Sequence, residues 1–155
     1  MLRAIDIKRK GAWPGEACDT VVLEFDQRHR RRLAMTGCGG MVFLLDLERT
    51  TVLRDGDGLL LEDGRVIGVS AAAEPLLQIT CRDAEHLARV AWHLGNRHLP
   101  TQIAGVALLV TEDHVIAEMA EGLGAEVQRI VAPFDPEGGA YEHSHHIGPD
   151  GGRHG

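Results

Sequence analysis

Apolar positions along the first 72 residues fall in short clusters separated by Gly and Asp, with no helical period. Thr20-Val21-Val22-Leu23-Glu24-Phe25 and Met41-Val42-Phe43-Leu44-Leu45 have the β-branched and apolar content of strands. Asp55-Gly56-Asp57-Gly58 and Glu62-Asp63-Gly64 are hairpin turn signals on either side of Leu59-Leu60-Leu61. Small residues ending in proline, Ser70-Ala71-Ala72-Ala73-Glu74-Pro75, then mark a seam. Beyond it the pattern changes. Leu76 to Cys81 is strand-like, and Asp83 can cap a helix whose apolar positions Leu87, Val90, Ala91 and Leu94 follow the i, i+3, i+4, i+7 rule. Gly95 is expected to stop that helix, with Pro100 marking the exit. Gln102 to Val110 fits two short strands broken near Gly105. A second helix begins at Thr111 or Asp113, carries Val115, Ile116, Met119 and Leu123, and ends at Gly124; Ala125 to Ala132 supplies a last strand. The order β-α-β-β-α-β is that of a ferredoxin-like domain. The fold class expected is therefore α+β: an all-β domain over residues 1–72, a ferredoxin-like βαββαβ domain over 73–133, and a flexible Gly/His-rich tail over 134–155. The last 23 residues hold six glycines, three prolines and four histidines, and offer little surface to bury against chain entropy.

Composition narrows the chemistry. The 155 residues carry a net charge of −7, which opposes binding to nucleic acid or anionic membrane. No apolar run has the length of a membrane span, and the charged opening after Met1-Leu2-Arg3 does not read as a secretory signal; a cytoplasmic protein is expected. Cys18, Cys38 and Cys81 are odd in number, lack a CxxC spacing and read as reduced thiols. Ser70 and Ser144, the only serines, sit in no nucleophile elbow, and Lys8 and Lys10 follow no phosphate-binding loop. An enzyme is not expected. The Asp55–Gly58 stretch superficially matches a calcium loop, but Leu59 occupies a ligand position and the match fails. Arg28-His29-Arg30-Arg31-Arg32, the one basic run, reads as a solvated turn between strands, with a docking patch for an acidic partner as the alternative.

The chain has nine histidines. His143, His145 and His146 fall within four residues, close enough to wrap one ion; neutral imidazole suits nickel, copper and zinc. His93 and His98 flank Gly95-Asn96-Arg97, and on an unbroken helix an i, i+5 pair lies about 140° apart, so the two do not share an ion within one chain. His86 and His93 share a helix edge but lie about 10 Å apart by helix rise, and read as polar flanks. His98 follows the helix stop alone. A metal site there needs a second subunit, the tail, or both. His114 lies in the first turn of the second helix, where a surface role is favoured. Trp92, on the nominally wet face of the first helix, suggests a contact surface.

His93-Leu94-Gly95-Asn96-Arg97-His98-Leu99-Pro100, with Asp113-His114-Val115-Ile116, Leu123-Gly124-Ala125 and the run Pro133 to Tyr141 leading into histidines, resembles the UreE family of urease accessory proteins. Thr51 to Asp57 and Val69 to Glu74 extend the likeness upstream, while the first thirty residues add little. The resemblance implies an N-terminal β domain that binds a partner or peptide, and a C-terminal domain that binds metal and dimerises. It implies a nickel metallochaperone: a homodimer in which His98 of each subunit grips one Ni²⁺, His143, His145 and His146 complete or feed that site, and His114 binds metal peripherally. Copper or zinc would also bind such a nitrogen site in vitro. It further implies handover to the urease accessory GTPase and the urease pre-activation complex. Glu142 and Glu112 stand where many relatives carry further histidines, which reduces the expected metal load. The alternative expectation is a general divalent-metal storage protein or a metal-regulated binding protein.

Overall fold

The computed structural model describes residues 1–138. They form two compact units: Met1–Glu74 joined by Ala132–Asp135, and Pro75–Val131 joined by the residues from Pro136 onward. Among the described residues no helix is long and apolar enough to cross a membrane.

The first unit contains β1 (Leu2–Lys8), β2 (Asp19–Leu23), a one-turn helix α1 (Phe25–Arg28), β3 (His29–Thr36), β4 (Val42–Val52), β5 (Gly58–Leu61) and β6 (Val66–Ala71). Its strands make a six-stranded sheet in the order β2-β6-β5-β1-β4-β3. β1 with β4 and β2 with β6 run parallel; the other pairs are antiparallel. Alternation sets the inner face. Along β4, Phe43, Leu45 and Leu47 turn inward and join Ala4, Val21, Leu23, Met35, Leu53, Leu59, Leu61, Ile67 and Val69.

Two sequence expectations change here. Asp55-Gly56-Asp57-Gly58 is not a hairpin turn, because β4 and β5 do not pair; it carries the chain between strands that are not neighbours. Its acidic residues hold the backbone. Asp57 is buried and accepts from the backbone N–H groups of Arg54 (2.8 Å) and Lys10 (3.1 Å) and from Arg9 Nη1 (2.6 Å), while Asp55 accepts from Ala71 N–H at 2.8 Å. The basic run is not a solvated turn either. Arg28 ends α1 fully buried, and Arg30 to Arg32 lie in β3. The Arg28 guanidinium donates through Nε to Leu23 O (3.2 Å), through Nη1 to Leu53 O (3.1 Å) and through Nη2 to Phe134 O. One side chain thereby serves three carbonyls, of which Leu23 O also accepts from Ala72 N–H at 2.8 Å. Burial pulls the Arg28 pKa down, with Glu74 and Asp135 opposing the shift. Phe134, at the start of the expected tail, is likewise fully buried and packs edge-on against Phe25, ring centroids 5.4 Å apart.

The second unit has β7 (Ala73–Thr80), α2 (Ala84–Asn96), β8 (Gln102–Ala104), β9 (Ala107–Thr111), α3 (His114–Gly122) and β10 (Glu126–Pro133). The sheet order β10-β7-β9-β8 places the unit's strands as fourth, first, third and second, which is ferredoxin-like as the element order implied. Val90 and Leu94 of α2 and Ile116 and Ala120 of α3 bury against Leu77, Ile79, Leu108 and Val110 of the sheet. Asp83 caps α2 by accepting from His86 N–H at 2.8 Å, and Asp113 caps α3 by accepting from Val115 N–H at 2.8 Å.

Removing the Arg28 fork takes a donor from the carbonyls of Leu23, Leu53 and Phe134, so Arg28→Ala is expected to lower stability by about 3 kcal/mol, read as the shift of a urea unfolding midpoint. Acid sensitivity follows from carboxyls held low. Asp19 lies below its ordinary 3.8 because it accepts from the N–H groups of Gly39, Thr20 and Met41; the Arg3 backbone N–H and guanidinium lower Glu62; and Arg65 lowers Asp63. A folded pKa below the unfolded one stabilises fully above the ordinary value, and that contribution is lost as pH falls through the folded pKa. The stability gap between wild type and Asp19→Asn should therefore be widest above about pH 5 and narrow toward about pH 3 in matched urea titrations.

Candidate metal centre

The end of α2 differs from the sequence expectation in a way that places His98. The helix does not stop at Gly95 but runs through it to Asn96, with Arg97 as its C-cap. His98 N–H donates to Gly95 O at 3.0 Å and Leu99 N–H to Leu94 O at 3.4 Å. This pair of bonds is the Schellman closure, in which the residue after the cap turns left-handed. That residue is His98, with φ +58°, the one non-glycine residue with positive φ among those described. The end of α3 provides an internal comparison. Gly124 N–H donates to Glu121 O at 2.9 Å, Ala125 N–H donates to Ala120 O at 3.1 Å, and Gly124 has φ +89°. One motif closes both helices. The residue that takes the left-handed position is glycine at one and histidine at the other.

An L-residue with a Cβ pays about 1–2 kcal/mol in that region relative to right-handed conformations. His98 takes this position while exposed, its imidazole without a hydrogen bond among the described residues. Arg97, beside it, donates from Nε to Met119 Sδ at 3.2 Å, tying the cap of α2 to α3. Thr101 Oγ1 donates to Leu99 O at 3.0 Å and stiffens the exit. The turn thus presents one imidazole outward from a firmly bonded corner.

The other histidines separate by their partners. His86 was read as a polar flank and is instead buried. Arg82 N–H donates to its Nδ1 (3.1 Å), so Nε2 carries the proton and donates to Leu123 O (2.9 Å). Both ring nitrogens are committed, and His86 is a structural link between α2 and the end of α3. His93 is half-buried in the last turn of α2, edge-on to Trp92 with centroids 5.2 Å apart, and Trp92 is 64% exposed. His114 is exposed at the first residue of α3; nearby, Glu112 is paired with Arg129 at 2.9 Å. No three His, Cys, Asp or Glu side chains converge among the described residues, so the structure does not bring His98 and His114 into one ligand set. His143, His145 and His146 lie outside the described residues.

One feature of the corner has no sequence signal. Glu137 N–H donates to Thr101 O at 2.8 Å, and Ile103 N–H reaches Glu137 Oε2 at 3.4 Å. Residues just before Gly138 are therefore fastened three positions beyond His98. A long-range backbone bond between two loop residues leaves no periodicity or motif to read.

If strain at His98 is a cost borne for its side chain, His98→Gly should raise stability by about 1 kcal/mol, whereas His98→Ala, which keeps a Cβ, should change it by less than about 0.5 kcal/mol. Urea unfolding of the two variants beside wild type reads the difference.

Comparisons with known proteins agree with this architecture. The family described as UreE urease accessory protein, N-terminal domain, matches residues 2–72, and the corresponding C-terminal domain family matches residues 74–155. The urease accessory protein UreE of Rhodopseudomonas palustris strain HaA2 is 61% identical over 145 residues, covering 94% of this chain and 67% of that protein. The same-named protein of Bradyrhizobium sp. strain ORS 278 is 60% identical over 146 residues, covering 94% and 70%. That of Chelativorans sp. strain BNC1 is 51% identical over 154 residues and covers 96% of each. These are accessory proteins rather than enzymes, and with both domain families matched in order over nearly the whole length, the chain belongs to the UreE family of urease accessory proteins.

Proposed function

We propose that this protein is a nickel metallochaperone that carries Ni²⁺ for assembly of the urease active site, with His98 as its central ligand. The observation that carries the reading is the left-handed, exposed His98 at a helix end where the same chain elsewhere uses glycine. Strain kept at a solvent-facing position, for a side chain without a structural partner, is the mark of a functional residue.

A lone imidazole binds metal weakly, so the site is completed from elsewhere. Two-fold symmetry supplies a second His98 from another copy, and the exposed Trp92 gives the same unit an apolar contact surface. The homodimer of this proposal holds one ion between its two subunits. The chain after Glu137, whose N–H is bonded to Thr101 O, supplies further ligands in this proposal: His143, His145 and His146, the first of them six positions on. His114, on its own exposed helix start, serves as a peripheral ligand.

Few protein ligands, all imidazole and all at the surface, suit a carrier that must release its ion. Such a nitrogen set binds Cu²⁺ more tightly than Ni²⁺ by the Irving–Williams order, and Zn²⁺ also competes in vitro. Specificity for nickel in this cytoplasmic role then rests on metal supply and on handover to the urease accessory GTPase within the urease pre-activation complex. Residues 1–72 form the partner- or peptide-binding domain of this scheme, residues 73–133 the metal-binding and dimerisation domain, and 134–155 the metal-gathering tail.

Calorimetric Ni²⁺ titration of the full chain beside His98→Ala tests the proposal. A tight step near one ion per two chains in the wild type, absent in His98→Ala while the dimer persists in sedimentation, is the expected result. Unchanged Ni²⁺ binding by His98→Ala would instead assign the metal to the tail, as in a storage protein, and overturn the central role of His98.

A further inference from the structure

Three of the five sulfur-bearing residues of the first unit lie beside the start of β2 and the turn that meets it. Cys18 immediately precedes β2, and Cys38 and Met41 lie on the turn between β3 and β4. Cys18 Sγ sits 3.9 Å from Met41 Sδ. Cys38 N–H donates to Thr20 O at 2.8 Å, which sets the second cysteine against β2 two positions from the first. Both thiols are exposed.

What holds them there is the Asp19 carboxylate. It accepts from Gly39 N–H at 2.8 Å, from Met41 N–H at 3.1 Å and from Thr20 N–H at 2.7 Å. The turn closes on itself through Gly37 N–H to Met41 O at 2.8 Å, and a Cβ on Gly37 would lie 2.2 Å from Asp19 Oδ2. The turn residue at 37 must therefore be glycine for the carboxylate to approach. A half-buried carboxylate clamp thus fixes the turn that carries Cys38 and the partly buried Met41 beside Cys18.

We propose that Cys18, Met41 and Cys38 form a binding site for a soft monovalent cation, Cu(I), separate from the histidines. Thiolate and thioether together select Cu(I) among the biological first-row metals, since the thioether is a poor ligand for borderline or hard ions. The spacing fits. With metal–sulfur bonds of about 2.3 Å, the length of a zinc–thiolate bond, two sulfurs at the Cys18–Met41 separation subtend about 115° at the metal, between tetrahedral and trigonal. A third sulfur from Cys38 completes a three-coordinate shell. Cys81 takes no part: it is buried in the second unit, and burial pushes its thiol pKa up. Such a site gives the protein a sulfur trap for reduced copper, the ion of the metal that its imidazole nitrogens would otherwise prefer.

The test is Cu(I) competition under anaerobic, reducing conditions, with the full-length protein titrated against a chromophoric bicinchoninate–Cu(I) complex. Wild type should withdraw one Cu(I) per chain. Cys18→Ser, Cys38→Ser and Met41→Leu should each weaken retention at least tenfold, with unchanged circular dichroism confirming that the two exposed substitutions and the apolar replacement of partly buried Met41 leave the fold intact. His98→Ala should retain Cu(I) as wild type does. Retention at the wild-type level by any of the three sulfur variants, or release by His98→Ala, would overturn the site.

Discussion

A helix can turn sharply into the next element only through a residue that accepts the left-handed region, and this constraint organises the end of α2 that carries His98. Both helices obey it with the same two backbone bonds. At α3 glycine meets the requirement, as its missing Cβ allows. At α2 histidine meets it instead, although Gly95 stands three residues earlier and is left inside the helix. Glycine at the closing position would relieve the strain but remove the imidazole. The arrangement is intelligible if the position is set by two demands at once, a left-handed backbone and a nitrogen ligand aimed at solvent. The bonds of Leu99, Thr101 and Glu137 around the turn then act as the framework that keeps a strained residue in place.

The first unit follows a different economy. Three of its charged side chains are committed to backbone groups. Arg28 serves three carbonyls, Asp57 two amides and a guanidinium, and Asp19 three amides. Carboxylates so engaged are structural acceptors, and the lowered pKa of Asp19 records that engagement rather than acid–base chemistry. Asp55 and Asp57 illustrate the point: a sequence stretch with the outline of a calcium loop has both carboxylates turned to N–H donors.

Much of the fold was legible because it rests on local rules. Short β-branched and apolar runs bounded by Gly and Asp marked strands, the 3.6-residue spacing and Asp83 and Asp113 marked the helices, and their order implied the sheet that β7 to β10 form. The misreadings share a cause. Gly95 was taken as the stop because glycine is the usual left-handed residue, and nothing local announces a histidine in that role. His86 looked like a helix flank because its two partners, Arg82 N–H and Leu123 O, become neighbours only after α3 folds back. Arg28 was hidden in a basic run, since its three carbonyls come from segments far apart in the chain. Phe134 was counted with a polar tail for the same reason. The candidate ligands His98 and His114 could be named from the sequence, but the backbone strain that distinguishes them could not.

Under the proposed carrier function, the distribution of donor atoms bears on how one small chain would handle a metal that ranks below copper in affinity for nitrogen. Imidazoles alone give no discrimination against copper, because the Irving–Williams order is a property of the ions. Softness does discriminate, and the chain keeps its hard–soft contrast in separate places: nitrogen at the end of α2 in the second unit, sulfur on the Asp19-clamped turn of the first. Were a thiolate to join the imidazoles, the site would tilt toward copper and bind it too firmly to release. In the two proposals taken together, the nitrogen site carries no thiolate and stays exchangeable, and a three-sulfur site that draws off Cu(I) would remove the competitor in its reduced form. Selectivity would then arise from the partition of two ions between two donor chemistries, and neither site alone would need to be specific.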